Sequence, residues 1–211
     1  MPIASPGIPR YWGDESDPLV IVVPDFYGRL PALEDSAEQL AESGFRVAAS
    51  DLYNGVATVS TDEAEKLMAA VDVDIALAEL DDVIADARAR GSQKVGIVGY
   101  SLGGRLALLL AQRGSVDAVV AYYASLAPAD HGVVPAPVLL HYAERDDWSD
   151  DTSPADFVER LKAHGTPVTE HSYLGTAHSF ANAAIADRFE PRATALADAR
   201  TESFLSLHLL E

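Results

Sequence analysis

Gly99-Tyr100-Ser101-Leu102-Gly103 follows directly on the apolar run Val95-Gly96-Ile97-Val98. A Gly-x-Ser-x-Gly string between a strand and a helix dictates one local geometry, a sharp strained turn with the serine at its apex. The glycines belong there because a Cβ would clash in so tight a turn. Such a turn carries the hydroxyl past the end of the sheet and into solvent. Residues 102–112 follow as the expected helix, and Gly104 adds another small residue where helix and strand must approach closely. The bland alternative is a glycine-rich turn with an idle serine, so the reading depends on partners for Ser101.

A serine hydroxyl is a poor nucleophile near neutral pH. It needs a base within hydrogen-bond reach, and that base must be held in the right tautomer by a third group. His178 lies in Leu174-Gly175-Thr176-Ala177-His178-Ser179-Phe180, a small-residue loop after the last apolar strand, and is the candidate base. His131, His141, His164, His171 and His208 fall in a loop, in strands or at helix ends. Asp146, in the segment His141-Tyr142-Ala143-Glu144-Arg145-Asp146-Asp147-Trp148, is the candidate acid, with Asp147 as the alternative. Glu144, Asp150 and Asp151 read as solvated loop charges. Ser101, Asp146 and His178 come in the chain order of α/β-hydrolases. In an elbow the N–H of the residue after the nucleophile, here Leu102, faces the developing oxyanion. The second donor is expected from Pro24-Asp25-Phe26-Tyr27-Gly28, at the Phe26 N–H.

Apolar runs at 19–23, 45–49, 94–98, 116–123, 137–142 and 168–173 predict strands. A short N-terminal strand is expected at 8–12. Helices are predicted at 34–43, after Ser60, through Leu77, Leu80, Ile84 and Ala87, at 102–112, from Ser153-Pro154 to about 164, and at 191–208. Ser60-Thr61-Asp62-Glu63 carries a capping-box signature. Strands alternating with helices imply a mostly parallel sheet covered on both faces, with ligands at the carboxyl ends of the strands. The three candidate catalytic residues each stand just past a strand end. The 211 residues are expected to form one domain, with residues 1–18 as a short N-terminal segment.

Net charge is −18, from 15 Lys and Arg against 33 Asp and Glu. Nucleic acid and anionic membranes would repel such a chain. With no cysteine, disulfides, thiolate metal sites and a cysteine nucleophile are excluded. No metal-ligand spacing such as His-Glu-x-x-His occurs, and no G-x-G-x-x-G follows the first strand, so neither metal nor cofactor is expected. No basic stretch followed by an apolar core opens the chain, and no apolar run reaches membrane-spanning length. The expectation is a cytoplasmic enzyme, monomeric or homodimeric, with a small-molecule substrate.

Together these segments resemble the dienelactone hydrolase family of α/β-hydrolases. The matching pieces are Val23-Pro24-Asp25-Phe26-Tyr27-Gly28, Ser50-Asp51-Leu52-Tyr53, the run 95–104, Ala121-Tyr122-Tyr123 and Ala177-His178-Ser179-Phe180-Ala181-Asn182. The resemblance implies a compact α/β-hydrolase fold with little or no cap, a Cys/Ser-His-Asp triad, and hydrolysis of esters or lactones. Well-known members carry cysteine where this chain has Ser101, and a thiol-activating glutamate where it has Asp25. They also bind the substrate carboxylate with arginines, where this chain has Asn54-Gly55 and Asn182. Those departures, with the net charge of −18, favour a neutral ester or lactone, with hydrolysis of an anionic dienelactone as the alternative and a non-catalytic binding role as a third reading. Arg29, Arg145 and Arg188 are the replacement cations to consider. Asp25, Tyr53, Tyr122 and Asn182 are candidates for substrate contact, with Tyr123 and Trp148 as further pocket aromatics.

Overall fold

A computed structural model of the chain describes residues 7–15, 17–148 and 153–211. Its strands are β1 (Gly7–Trp12), β2 (Leu19–Val23), β3 (Arg46–Asp51), β4 (Val95–Tyr100), β5 (Ala118–Tyr122), β6 (Val138–Arg145) and β7 (Val168–Ala177). They form a single seven-stranded sheet in the order β1-β3-β2-β4-β5-β6-β7. Only β1 runs antiparallel, on the β3 edge. The helices are α1 (Pro31–Glu42), α2 (Thr61–Met68), α3 (Val73–Ala89), α4 (Leu102–Ala111), α5 (Pro154–Ala163) and α6 (Pro191–Leu209).

The continuous apolar strands have side chains for two cores, because successive residues point to opposite faces. Leu19, Ile21 and Val23 pack with Val95, Ile97 and the apolar faces of α3, α4 and α5. Val20 and Val22 pack on the other side with Val98, Val120, Ala37 of α1 and Ala197, Leu205 and Leu209 of α6. Among the described residues no helix is long and apolar enough to cross a membrane.

Two local expectations are corrected. Ser60 is the N-cap of α2, but its side chain makes no cap bond. The Glu63 carboxylate instead accepts from the Thr58 hydroxyl at 2.7 Å, and that hydroxyl accepts the Ser60 N–H at 3.1 Å. The last two strands also run further than their apolar stretches. β6 continues to Arg145 and β7 to Ala177 across an irregularity in register, and Arg145 pairs with Ala177. Leu174-Gly175 is thus an interruption within β7 rather than its end. Gly175 takes φ +79° there, and its N–H donates to Glu144 at 2.8 Å. The extension sets the next two residues, Asp146 and His178, side by side.

Candidate active site

Ser101 joins β4 to α4 at φ +50°, ψ −112°, a sparsely populated conformation for a residue with a side chain. The surroundings hold it there. Its N–H donates to the Tyr122 carbonyl at 3.0 Å, and its carbonyl accepts from the Arg105 N–H at 2.9 Å. A Cβ on Gly99 would run into the Gly103 carbonyl, and one on Gly103 into the carbonyl oxygens of Val23 and Pro24. The glycines thus press the start of α4 against the end of β2, where the 24–28 turn begins.

Ser101 Oγ lies 2.7 Å from His178 Nε2. His178 Nδ1 lies 2.8 and 2.9 Å from the two carboxylate oxygens of Asp146. His178 is buried, and its ring stands 4.9 Å from Tyr123 and 6.0 Å from Trp148 between centroids. Asp146 Oδ1 also accepts the Trp148 N–H at 3.0 Å, which fixes the carboxylate from a second direction. Asp147 is exposed, and Asp150 and Asp151 lie outside the described residues. The Leu102 and Phe26 N–H groups, the expected oxyanion donors, have no protein acceptor among the described residues. Leu102 packs against the small apolar cluster that contains Phe26.

A cavity of about 470 Å³ opens on Ser101 and His178. Its apolar lining includes Met68, Val71 and Val73 from the junction of α2 and α3, and Tyr142, Trp148 and Pro154. Its polar features include the Ser125–Tyr142 hydroxyl pair, 3.1 Å apart, and Arg105, which is paired with Asp130 at 3.0 Å. A second cleft of about 230 Å³ lies across Trp148 and His178, lined by Phe26, Tyr27, Thr61, Ile185 and Arg188 among others. The Met68–Val73 lining was not foreseen. Its one sequence signal is the apolar stretch Met68-Ala69-Ala70-Val71 at the junction of α2 and α3, in which Met68 and Val71 also pack against the core.

The candidate substrate contacts fare differently. Tyr122 is fully buried, its hydroxyl bonded to Thr201 at 2.8 Å and Asp198 at 3.0 Å, and it reaches neither cavity. Tyr53 is also fully buried, and its hydroxyl has no protein partner among the described residues. Burial first, and then the nearby Asp25, push its phenol well above the usual range. Asp25 and Asn182 pair with one another at 2.9 Å and line neither cavity at Ser101. Tyr123 and Trp148 do line the larger cavity. Of the arginines considered, Arg29 donates to the Ile8 and Ala49 carbonyls and pairs with Glu34 and Asp51, so it is a structural cation. Among the described residues no group of three or more His, Asp or Glu is arranged to hold a metal ion.

The model of the dienelactone hydrolase family matches residues 10–209. The chain belongs to the dienelactone hydrolase family. Among its relatives, a carboxymethylenebutenolidase of Pseudomonas putida is 30% identical over 204 residues, covering 90% of this chain and 85% of the relative. Carboxymethylenebutenolidase 1 of Cupriavidus pinatubonensis is 27% identical over 207 residues, covering 92% and 87%. Solved structures share the fold. The dienelactone hydrolase-like promiscuous phosphotriesterase P91 from metagenomic libraries superimposes with a TM-score of 0.80 at 18% identity, covering 94% of this chain and 91% of its own. A cold-adapted esterase from an Arctic intertidal metagenomic library gives 0.70 at 21%, covering 94% and 87%. The sheet and helices of this family member are thus those of an α/β-hydrolase.

Proposed function

We propose that the chain is a serine hydrolase that cleaves a small, neutral carboxylic ester or lactone through an acyl-enzyme. The observation that carries this is the continuous hydrogen-bond line from Ser101 Oγ through the His178 ring to Asp146. Ser101 Oγ attacks the carbonyl carbon while His178 Nε2 takes the hydroxyl proton. Asp146 accepts the Nδ1–H bond and stabilises the imidazolium. The oxyanion is met by the Leu102 and Phe26 N–H groups, assisted by the N-terminus of α4. His178 then gives its proton to the leaving oxygen, the C–O bond breaks, and the acyl group stays on Ser101. Water, its proton taken by His178 Nε2, attacks the acyl carbon; the C–Oγ bond then breaks, His178 returns the proton to Ser101 Oγ, and the carboxylic acid leaves. Apart from substrate and water, these steps draw on side chains and backbone N–H groups of this one chain, and the whole chain is read as one catalytic unit.

The neutral substrate follows from the lining. The large cavity is mainly apolar, and its cation Arg105 already has a carboxylate partner. An anionic lactone is the second reading, supported by the names of the relatives and by Arg188 in the smaller cleft. Hydrolysis of nitrophenyl esters of graded chain length by the purified protein tests the proposal. Turnover is expected in the wild type and absent in Ser101→Ala. The proposal fails if both proteins are inert toward esters and toward a fluorophosphonate. Preference for an anionic lactone over its neutral ester would instead favour the second reading.

A further inference from the structure

Two turns flank the triad, and one side-chain pair joins them. Asp25 is 4% exposed. Its Oδ1 accepts the Tyr27 N–H at 3.0 Å, and its carbonyl accepts the Gly28 N–H at 3.1 Å, so it shapes the turn that carries the Phe26 N–H. Its Oδ2 accepts from Asn182 Nδ2 at 2.9 Å. Asn182 closes the turn after His178, donating its own N–H to the Ser179 carbonyl at 2.9 Å. Its Oδ1 accepts the Ala184 N–H at 3.0 Å. That last bond fixes the direction of the amide. Were Asn182 to turn over, its NH2 would face the Ala184 N–H and its oxygen the Asp25 carboxylate.

Neither residue faces a space fit for substrate. The cavity they share holds about 20 Å³, room for about one water molecule. We propose that Asp25 and Asn182 are positioning residues, a directional latch that sets the Phe26 N–H against His178 so that donor and base meet the same tetrahedral intermediate. The inference rests on the serine-hydrolase reading above. A donor misplaced by a fraction of an ångström loses much of its value, because a fixed dipole is worth most where the charge develops.

The direction of the bond supplies the test. Asp25→Asn sets two amide NH2 groups against each other, and Asn182→Asp sets two carboxylates against each other. The double swap Asp25→Asn/Asn182→Asp satisfies every bond again. The amide oxygen introduced at position 25 would accept the Tyr27 N–H, and its NH2 would donate to the carboxylate introduced at position 182. The other oxygen of that carboxylate would accept the Ala184 N–H.

At pH 8, each single variant is expected to lower kcat on a nitrophenyl ester by about 10- to 100-fold with KM nearly unchanged. The swap is expected to recover most of the loss, as coupling in a double-mutant cycle. Asn182→Ala, which adds no charge, covers the case in which a single variant fails to fold, and a fall in kcat of about 10-fold is expected. Thermal unfolding of each variant checks the fold. A swap no better than Asp25→Asn, an unchanged kcat in Asn182→Ala, or a loss confined to KM overturns the latch. If the wild type shows no Ser101-dependent turnover, the hydrolase reading falls and the latch with it.

Discussion

At the scale of single residues, the partition between Asp146 and Asp147 is the sharpest. Only Asp146 brings its carboxylate to His178 Nδ1, and it does so with both oxygens. An asparagine there would keep the shape but offer an NH2 to the ring and favour the wrong tautomer. Asp146→Asn is therefore expected to cost about 10³- to 10⁴-fold in kcat with little change in KM. Asp147→Asn, one residue away and exposed, should stay within about two-fold of wild type. Steady-state kinetics on one ester, with both variants side by side, checks the pair. Comparable losses in the two would return the acid to either residue.

At the scale of elements, the elbow depends on close approach more than on turn propensity. Gly103→Ala would drive a methyl into the Val23 and Pro24 carbonyls, so α4 or the end of β2 must give way. We expect a loss of about 1–3 kcal/mol in urea unfolding, typical of overpacking. We also expect a fall in kcat beyond that, because the displaced segment leads to Phe26. Gly165→Ala is the control. Unlike Gly103 it has a positive φ, +79°, and a Cβ there meets nothing within 4 Å. It should cost about 1 kcal/mol and leave kcat alone. The same contrast explains what could be read from sequence. Elements with a local signal were legible: the five apolar residues of β2, the buried stripe of Leu77, Leu80, Ile84 and Ala87 on α3, and the Ser153 cap of α5. So was the placement of Ser101, Asp146 and His178 together, because a strand end fixes each. What failed depended on a partner that the local pattern did not name, in most cases one distant in sequence. The interruption in β7 at Gly175 is stabilised by Glu144, 31 residues away. The Thr58–Glu63 bond replaced the expected capping box. Tyr122, at a strand end like the triad, is claimed by Thr201 and Asp198 of α6 behind the sheet.

At the scale of the whole molecule, a chain of net charge −18 buries part of its charge, and α6 shows how. Asp198 and Thr201, one turn apart, face the sheet and bind the Tyr122 hydroxyl. Thr201 also meets His141 Nε2 at 3.0 Å, and His141 Nδ1 meets the Tyr173 hydroxyl at 2.7 Å. Burial pushes the Asp198 carboxyl up to about 6, against the hydrogen bond from Tyr122. Burial also lowers His141 to about 3, helped by His171 and Arg200. The two groups act on stability with opposite signs. A carboxyl raised in the folded state carries no penalty below its unfolded value near 4, and a full one above about 6. A histidine depressed in the folded state contributes stability above about 6.5 that is lost as pH falls toward 3. Between pH 6 and 4 the contributions of these two groups partly offset each other. Asp198→Asn keeps an acceptor for Tyr122 and removes the half-buried charge. It should be more stable than wild type at pH 8, by about 1–3 kcal/mol. The gain should shrink to near zero at pH 4, so the variant loses stability more steeply than wild type as pH drops. Urea unfolding at pH 4, 6 and 8 measures this directly. A gain that is the same at all three values would mean that the Asp198 carboxyl titrates alike in the folded and unfolded chain, so that the Tyr122 bond cancels the cost of burial and the gain has another source.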